Sequence, residues 1–357
     1  MKISCCTFRI FQINQGIIMN ILFRCDGSVE IGMGHVVRCL ALANELKDKY
    51  DCNITFAMRK LNLANKKVLE SFSVITANPE DIKLNYADWL TKSILDTKTE
   101  ILILDVRDGL LSSDLKKIKK ETGIKLVTID DPEEKRLEVD LAFYPPVPQV
   151  KQMNWTNFKG KLYSDWRYVI LRKEFLNSTS SLENDYTNIF VSMGATDPKN
   201  MTNLVVDSLN NISYPFHVNI VIGEGYMFKD ELVEKLENIS FDYDLLINPR
   251  NIAKVMSKSN FAVISFGQTA YELTCLGVPA IHVCLSEDHK KSSSLFEQTG
   301  VGITAGIYNQ ISQDDLTNKI LILFKKKKLL NKMKSKADSI IISGVKEISK
   351  LILKLNK

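Results

Sequence analysis

The chain has 357 residues, 45% hydrophobic and 25% charged, with a formal net charge of +5. That length exceeds what one hydrophobic core accommodates, so two globular domains are expected and a disordered or fibrous chain is excluded. The charge is mild and the lysines lack interleaved aromatics, which excludes a nucleic-acid groove and favours a small anionic ligand.

Residues 1–18 precede a second methionine, Met19, from which an apolar strand starts at once. They read as a non-native extension ahead of the fold. They are too short and too polar to span a membrane, and they lack a small-residue cleavage site. No later apolar run approaches spanning length, so no stable membrane insertion is expected. The seven cysteines are odd in number and show no Cys-x-x-Cys spacing. They read as reduced thiols of a cytoplasmic protein.

From Ile21 the order is strand, glycine-bearing loop (Asp26 to Gly34), then a helix with Val36, Leu40 and Ala43 on one face. His35 stands at the helix start directly after Gly32 and Gly34, which places it at the carboxyl edge of a sheet, where open α/β folds bind ligands. Strands follow at Asn53–Ala57, Ser73–Thr76, Ile101–Asp105 and Lys125–Ile129, with helices at Leu84–Leu95 and through Leu115–Ile118. Continuous apolar runs such as ILILD suit a parallel sheet covered on both faces. Tyr144–Gln149, with three prolines, begins a linker or crossover, because proline cannot donate to a ladder.

The second half repeats this grammar. Strands are expected at Asn188–Ser192, Val218–Ile222, Tyr243–Ile247, Phe261–Ser265 and Ala280–Cys284, with helices at Lys229–Leu236, Ile252–Ser257 and Thr269–Leu276. Asp197 followed by Pro198 has the form of an N-cap and first helical residue. Beyond Gly300 the alternation of lysines with leucines and isoleucines predicts amphipathic closing helices, with Lys325–Lys328 as a solvated face. The fold class is therefore α/β with two doubly wound domains facing across a cleft: 19–150, a crossover at 151–187, and 188–357.

Within the second half, the loops Ser192–Thr196 and Ser265–Thr269 each carry glycine and each open a helix, a geometry that presents amides to a diphosphate. Gln268 and Thr269 add side-chain donors, and Glu272 is placed to accept from a ribose diol or simply to sit as a first-turn acid. No Walker, GxGxxG or nucleophile-elbow pattern is present. His217 and His282 read as sheet residues and Glu287-Asp288-His289 as a polar turn, so neither a metal nor an organic cofactor is expected.

The segments FRCDGSVEIGMGHVVRCLALANEL, VTIDD, YVILRKEF, VSMGATDPKN and SFGQTAYELTCLGVPAI, in that order, resemble the PseG and SpsG group of nucleotide-sugar proteins. PseG enzymes release UDP from a 2,4-diacetamido-2,4,6-trideoxy-altrose on the route to pseudaminic acid; SpsG relatives are assigned to surface polysaccharide synthesis. The group is similar to MurG, which implies a GT-B fold with UDP held by the C-terminal domain. Carried over, the general base falls on His35, inside a Gly-x-Gly-His-x-x-Arg motif whose Gly32, Gly34 and Arg38 line the substrate side. The diphosphate loops fall on Met193, Gly194, Thr196 and on Gly267, Gln268, Thr269, and the ribose-binding acid on Glu272.

Two stretches depart from the PseG pattern on the sugar side. Asp105-Val106-Arg107-Asp108 stands in place of Asp-His-Tyr-Gly, and Phe143-Tyr144-Pro145-Pro146 in place of an Asp-Gln-Asn segment. The expected activity is hydrolysis of a UDP-activated amino sugar. Glycosyl transfer to an acceptor hydroxyl and a non-catalytic nucleotide-sugar-binding role are the alternatives.

Overall fold

The computed structural model describes residues 18–27, 34–59, 68, 70–77, 86–178 and 187–355. Gly32 and, apart from Ile18, the expected N-terminal extension lie outside them.

Thirteen strands among the described residues form two wholly parallel sheets. The first contains β1 (Asn20–Cys25), β2 (Asn53–Met58), β3 (Ser73–Thr76), β4 (Ile101–Asp105), β5 (Lys125–Ile129), β6 (Leu141–Tyr144) and β7 (Lys161–Ser164), ordered β3-β2-β1-β4-β5-β6-β7. The second contains β8 (Thr187–Ser192), β9 (Phe216–Ile222), β10 (Asp242–Ile247), β11 (Phe261–Ser265), β12 (Ala280–Cys284) and β13 (Gly302–Ile307), ordered β10-β9-β8-β11-β12-β13. Each order reverses once, between β1 and β4 and between β8 and β11. Open sheets of this kind bind ligands beyond the carboxyl ends of their strands at that reversal. This is the GT-B arrangement, two doubly wound α/β units.

The apolar runs explain the layers. In β1, Ile21 and Phe23 enter one core with Phe56 of β2, while Leu22 enters the opposite core with Leu102 and Leu104 of β4. Alternate side chains thus face opposite sides of the sheet, and both sides are covered. Among the described residues, no helix is long and apolar enough to cross a membrane.

Several expectations shift. β6 and β7 extend the first sheet to Ser164, past the boundary expected at residue 150. The stretch after Gly300 is not wholly helical, because Gly302–Ile307 is an edge strand on β12. Lys325–Lys328 is exposed, but it lies at the junction of the helices Gln313–Lys325 and Lys327–Asp338 instead of along one helix face. Glu287, Asp288 and His289 form the first turn of a helix, Glu287–Thr299, in which Ser286 Oγ accepts from the His289 amide at 3.2 Å. The helix expected from Asp197-Pro198 starts at Met201, yet the Asp197 carboxylate still serves its amino end, accepting from the Met201 and Thr202 amides at 2.9 and 2.8 Å.

Two passages tie the halves together. Between β7 and β8, Ile170 packs into the first core while its neighbours Val169 and Leu171 pack into the second. The last helix, Gly344–Ile352, returns to bury Val345, Ile348 and Ile352 in the core of the first sheet. The two passages touch at Gly344, where a Cβ would collide with the Val169 carbonyl. Close backbone approach requires glycine there.

Candidate active site

The carboxyl ends of β1 and β4 are in register, with Cys25 opposite Asp105. The helix Gly34–Tyr50 starts just beyond β1 and buries Val36, Cys39, Leu42, Ala43 and Leu46. Positions 35, 38 and 39 therefore share the face that looks onto the end of β4. Asp105 has a fully buried side chain and accepts four contacts there: Arg38 Nε at 2.5 Å, Arg38 Nη2 at 2.6 Å, His35 Nδ1 at 2.5 Å and Cys39 Sγ at 3.5 Å. Arg38 Nη1 also donates to Asp130 Oδ2 at 3.1 Å, at the end of β5.

The electrostatics fix the charge of Asp105. Burial pushes the Asp105 carboxyl upward, but the charge and hydrogen bonds of Arg38, then those of His35, outweigh it and hold the group at about 2. An ionised carboxylate only accepts, so His35 Nδ1 must carry the proton that faces it. The 3.2 Å approach of Arg38 Nη2 to His35 Nδ1 is then two donors converging on one Asp105 oxygen. In the neutral ring, Nε2 is left as an acceptor.

Behind this set lies a second buried network that the sequence reading did not pick out. Arg24, fully buried at the end of β1, donates to Asp26 at 2.6 Å, Asp108 at 3.0 Å and the Tyr86 hydroxyl at 2.6 Å. Tyr86 also bonds Asp108. Lys135, also buried, donates to the Val106 carbonyl at 3.1 Å and pairs with Glu133, Asp131 and Asp108. These contacts fasten the segments that follow β1 and β4.

A cavity of about 400 Å³ opens between the two sheets, with His35, Arg38 and Asp130 on one wall and Gly267, Gln268 and Tyr271 on the other. That volume falls in the range of small-molecule sites. Of the residues singled out from sequence, Gly34, His35, Arg38, Gly267 and Gln268 meet at this cavity. Arg38 was expected to face substrate, yet its guanidinium is committed to Asp105 and Asp130. Gln268 donates its side-chain amide to the Ile170 carbonyl at 2.8 Å.

Met193, Gly194, Thr196, Thr269 and Glu272 do not line the cavity. The Met193 side chain is core, and Gly194 makes the turn after β8 at φ +92°, facing Ser265 at the end of β11. Glu272 is 6% exposed and lies 3.5 Å from Arg172 Nη2. Burial raises its carboxyl to about 7, against the opposing pull of Arg172. His217 Nε2 lies 3.2 Å from Asp244 on the neighbouring strand, as suits a sheet residue. His282 is buried, with Nδ1 on Ser293 Oγ at 2.9 Å.

Asp105, Asp130, Tyr271, Arg107 and His289 are cleft residues to which sequence reasoning gave no role. The two aspartates had a signal, each being a carboxylate at the end of an apolar strand, whereas Tyr271 had none.

No family model matches the chain. An uncharacterised protein of Methanocaldococcus jannaschii is 30% identical over 276 residues, which are 74% of this chain and 55% of that protein, so this chain spans about half the length of that relative. The spore coat polysaccharide biosynthesis protein SpsG of Bacillus subtilis is 25% identical over 296 residues, covering 82% of this chain and 85% of that one. A UDP-2,4-diacetamido-2,4,6-trideoxy-beta-L-altropyranose hydrolase of Campylobacter jejuni is 27% identical over 286 residues, covering 79% of this chain and 97% of that one. The chain is similar to these SpsG and PseG-type proteins over most of its length.

Among solved structures, MurG of Acinetobacter baumannii superposes with a TM-score of 0.73 at 14% identity, covering 94% of this chain and 99% of that one. Anabaena HepE in complex with UDP superposes with a TM-score of 0.60 at 14% identity, covering 94% and 99%. Both likenesses concern the fold, and it is GT-B. The chain has the GT-B architecture together with an aspartate-held histidine in its cleft.

Proposed function

We propose that the chain is a UDP-sugar hydrolase that cleaves the anomeric carbon–oxygen bond of a UDP-activated amino sugar. The observation that carries this reading is the 2.5 Å pairing of His35 with buried, ionised Asp105 at the cavity wall. It leaves Nε2 as a positioned base.

In the proposed step, water attacks the anomeric carbon and passes its proton to Nε2. The bond from that carbon to the β-phosphate oxygen breaks, and its electron pair leaves with UDP. The imidazolium formed is stabilised by Asp105, which accepts from Nδ1 in both states. Charge on the departing diphosphate falls to backbone amides at the start of the helix Gln268–Cys275, where unsatisfied N–H groups favour anions. The second domain is assigned the nucleotide, with Glu272 as the candidate ribose acceptor. The C. jejuni hydrolase and the UDP in the HepE complex support the substrate class. The buried, unbridged Cys25, Cys39, Cys52 and Cys284 support a reducing, cytoplasmic setting.

A second reading is glycosyl transfer, favoured by the glycosyltransferase neighbours in fold. There His35 would deprotonate an acceptor hydroxyl in place of water. The two separate in an incubation with a panel of UDP-sugars that reads UDP release with and without added sugar acceptors. Hydrolysis gives release that needs no acceptor; release only with an acceptor assigns transfer.

A further inference from the structure

Arg107 follows two residues after Asp105, on the strand end that supports the base, and it lines the cavity. It is exposed, and among the described residues it makes no hydrogen bond or ion pair. Three other basic groups around this sheet edge, Arg24, Arg38 and Lys135, are bound to carboxylates, and the side chains of Arg59 and Arg136 donate to backbone carbonyls.

Across the cleft, His289 also lines the cavity, and its Nδ1 is buried without a partner among the described residues. Burial, opposed by Asp288 and reinforced by the charge of Arg107, lowers the His289 pKa, so the ring is neutral and offers one N–H. The acids nearby are already engaged. Asp130 takes Arg38 at 3.1 Å, and Asp288 takes the Gln149 amide at 3.0 Å. Of the two arginines that line the cavity, Arg38 is tied to two carboxylates, whereas Arg107 has no carboxylate partner among the described residues.

We propose that Arg107 and His289 form an anion subsite of the cleft that binds an anionic oxygen of the nucleotide sugar. Arg107 supplies the charge and a planar pair of donors, and neutral His289 supplies a single N–H from the opposite domain. The oxygen belongs either to the diphosphate or to a carboxylate on the sugar. This rests on the UDP-sugar reading, and the test separates the two.

The test is calorimetry with UDP, UDP-glucose and UDP-glucuronate on the wild type, Arg107→Gln and His289→Ala, with melting curves to verify folding. Arg107 has no partner among the described residues, so Arg107→Gln is expected to melt like the wild type. Hydrogen bonds to charged groups are worth about tenfold to a hundredfold in affinity. If the diphosphate is the source, Arg107→Gln weakens all three ligands by that factor. If the sugar is the source, the wild type prefers UDP-glucuronate over UDP-glucose by about tenfold, and Arg107→Gln removes the preference while keeping UDP affinity. His289→Ala is expected to follow the same pattern with smaller amplitude. Wild-type affinities retained within about twofold for all three ligands in Arg107→Gln would overturn the subsite alone. Absence of UDP binding by the wild type would overturn the UDP reading, and the subsite with it.

Discussion

Replacing Asp105 by asparagine tests the catalytic assignment through the geometry that supports it. The carboxylate presents two oxygens, one facing Arg38 Nε and Cys39, the other facing Arg38 Nη2 and His35 Nδ1. Asparagine must put an NH₂ group at one of these places. At the first it opposes the arginine donor; at the second it faces Nδ1, which must then become the acceptor, and the ring proton moves to Nε2, the nitrogen needed as base.

Either arrangement breaks a bidentate buried pair, a loss of about 3–5 kcal/mol when one partner is removed. Asp130 retains Arg38 Nη1 and should keep the loss at the lower end of that range. Positioned general bases contribute about 10²–10⁴ in rate, so turnover in Asp105→Asn should fall by that order. UDP affinity, assigned to the other domain, should hold.

The assay is UDP release, accompanied by UDP calorimetry and denaturant unfolding of Asp105→Asn, His35→Asn and the double variant. Because the two residues act as one unit, the double variant should be no slower than His35→Asn. A folded Asp105→Asn with wild-type turnover would refute the reasoning. So would a double variant in which the two losses multiply.

Two further outcomes concern stability. Glu272, raised from 4.5 to about 7 by burial, binds its proton more tightly folded than unfolded. Its contribution is therefore complete below about pH 4.5 and is lost as pH rises through 7, a change on the order of 3 kcal/mol. Glu272→Gln should remove that dependence, so that denaturation midpoints at pH 4.5 and pH 8 differ less for the variant than for the wild type; equal pH dependence would contradict the burial argument. Gly344→Ala places a methyl against the Val169 carbonyl where the two passages between domains cross, and should lower stability by about 1–3 kcal/mol, typical of overpacking. An unchanged unfolding midpoint would show that the crossing is looser than described.

The legible parts of the fold were the fully covered strands. ILILD and FAVIS have buried side chains on both faces, so their apolar runs announce them. β7 carried no such signal. It is an edge strand, KLYS, with three of its four residues exposed. β13, GITAGI, mixes buried and half-buried positions with two glycines and gave no continuous run before the helical stretch.

At the site, Gly-x-Gly-His marked the histidine because local sequence makes the turn and the helix start. Its partner Asp105 is seventy positions away and is delivered only by the placement of β4 beside β1. Pairing of this kind depends on the strand order, which a residue list does not display. Arg38 lines the cavity, and its ties to Asp105 and Asp130 likewise depend on the strand order. Glu272 read as a ribose acceptor or a first-turn acid; it lies past the first turn of the helix Gln268–Cys275, and its burial beside Arg172 depends on the crossover that carries Arg172 past the second sheet.

The central claim is that water, activated by His35, attacks the anomeric carbon of a UDP-sugar. The most direct measurement is turnover of a UDP-sugar in ¹⁸O-labelled water without acceptor, with mass spectrometry of both products. The account predicts one ¹⁸O on the released sugar, unlabelled UDP, and loss of both products in His35→Asn. Label in UDP would mean that the phosphorus–oxygen bond is the one cleaved and would contradict the account, as would undiminished labelling of the sugar by His35→Asn.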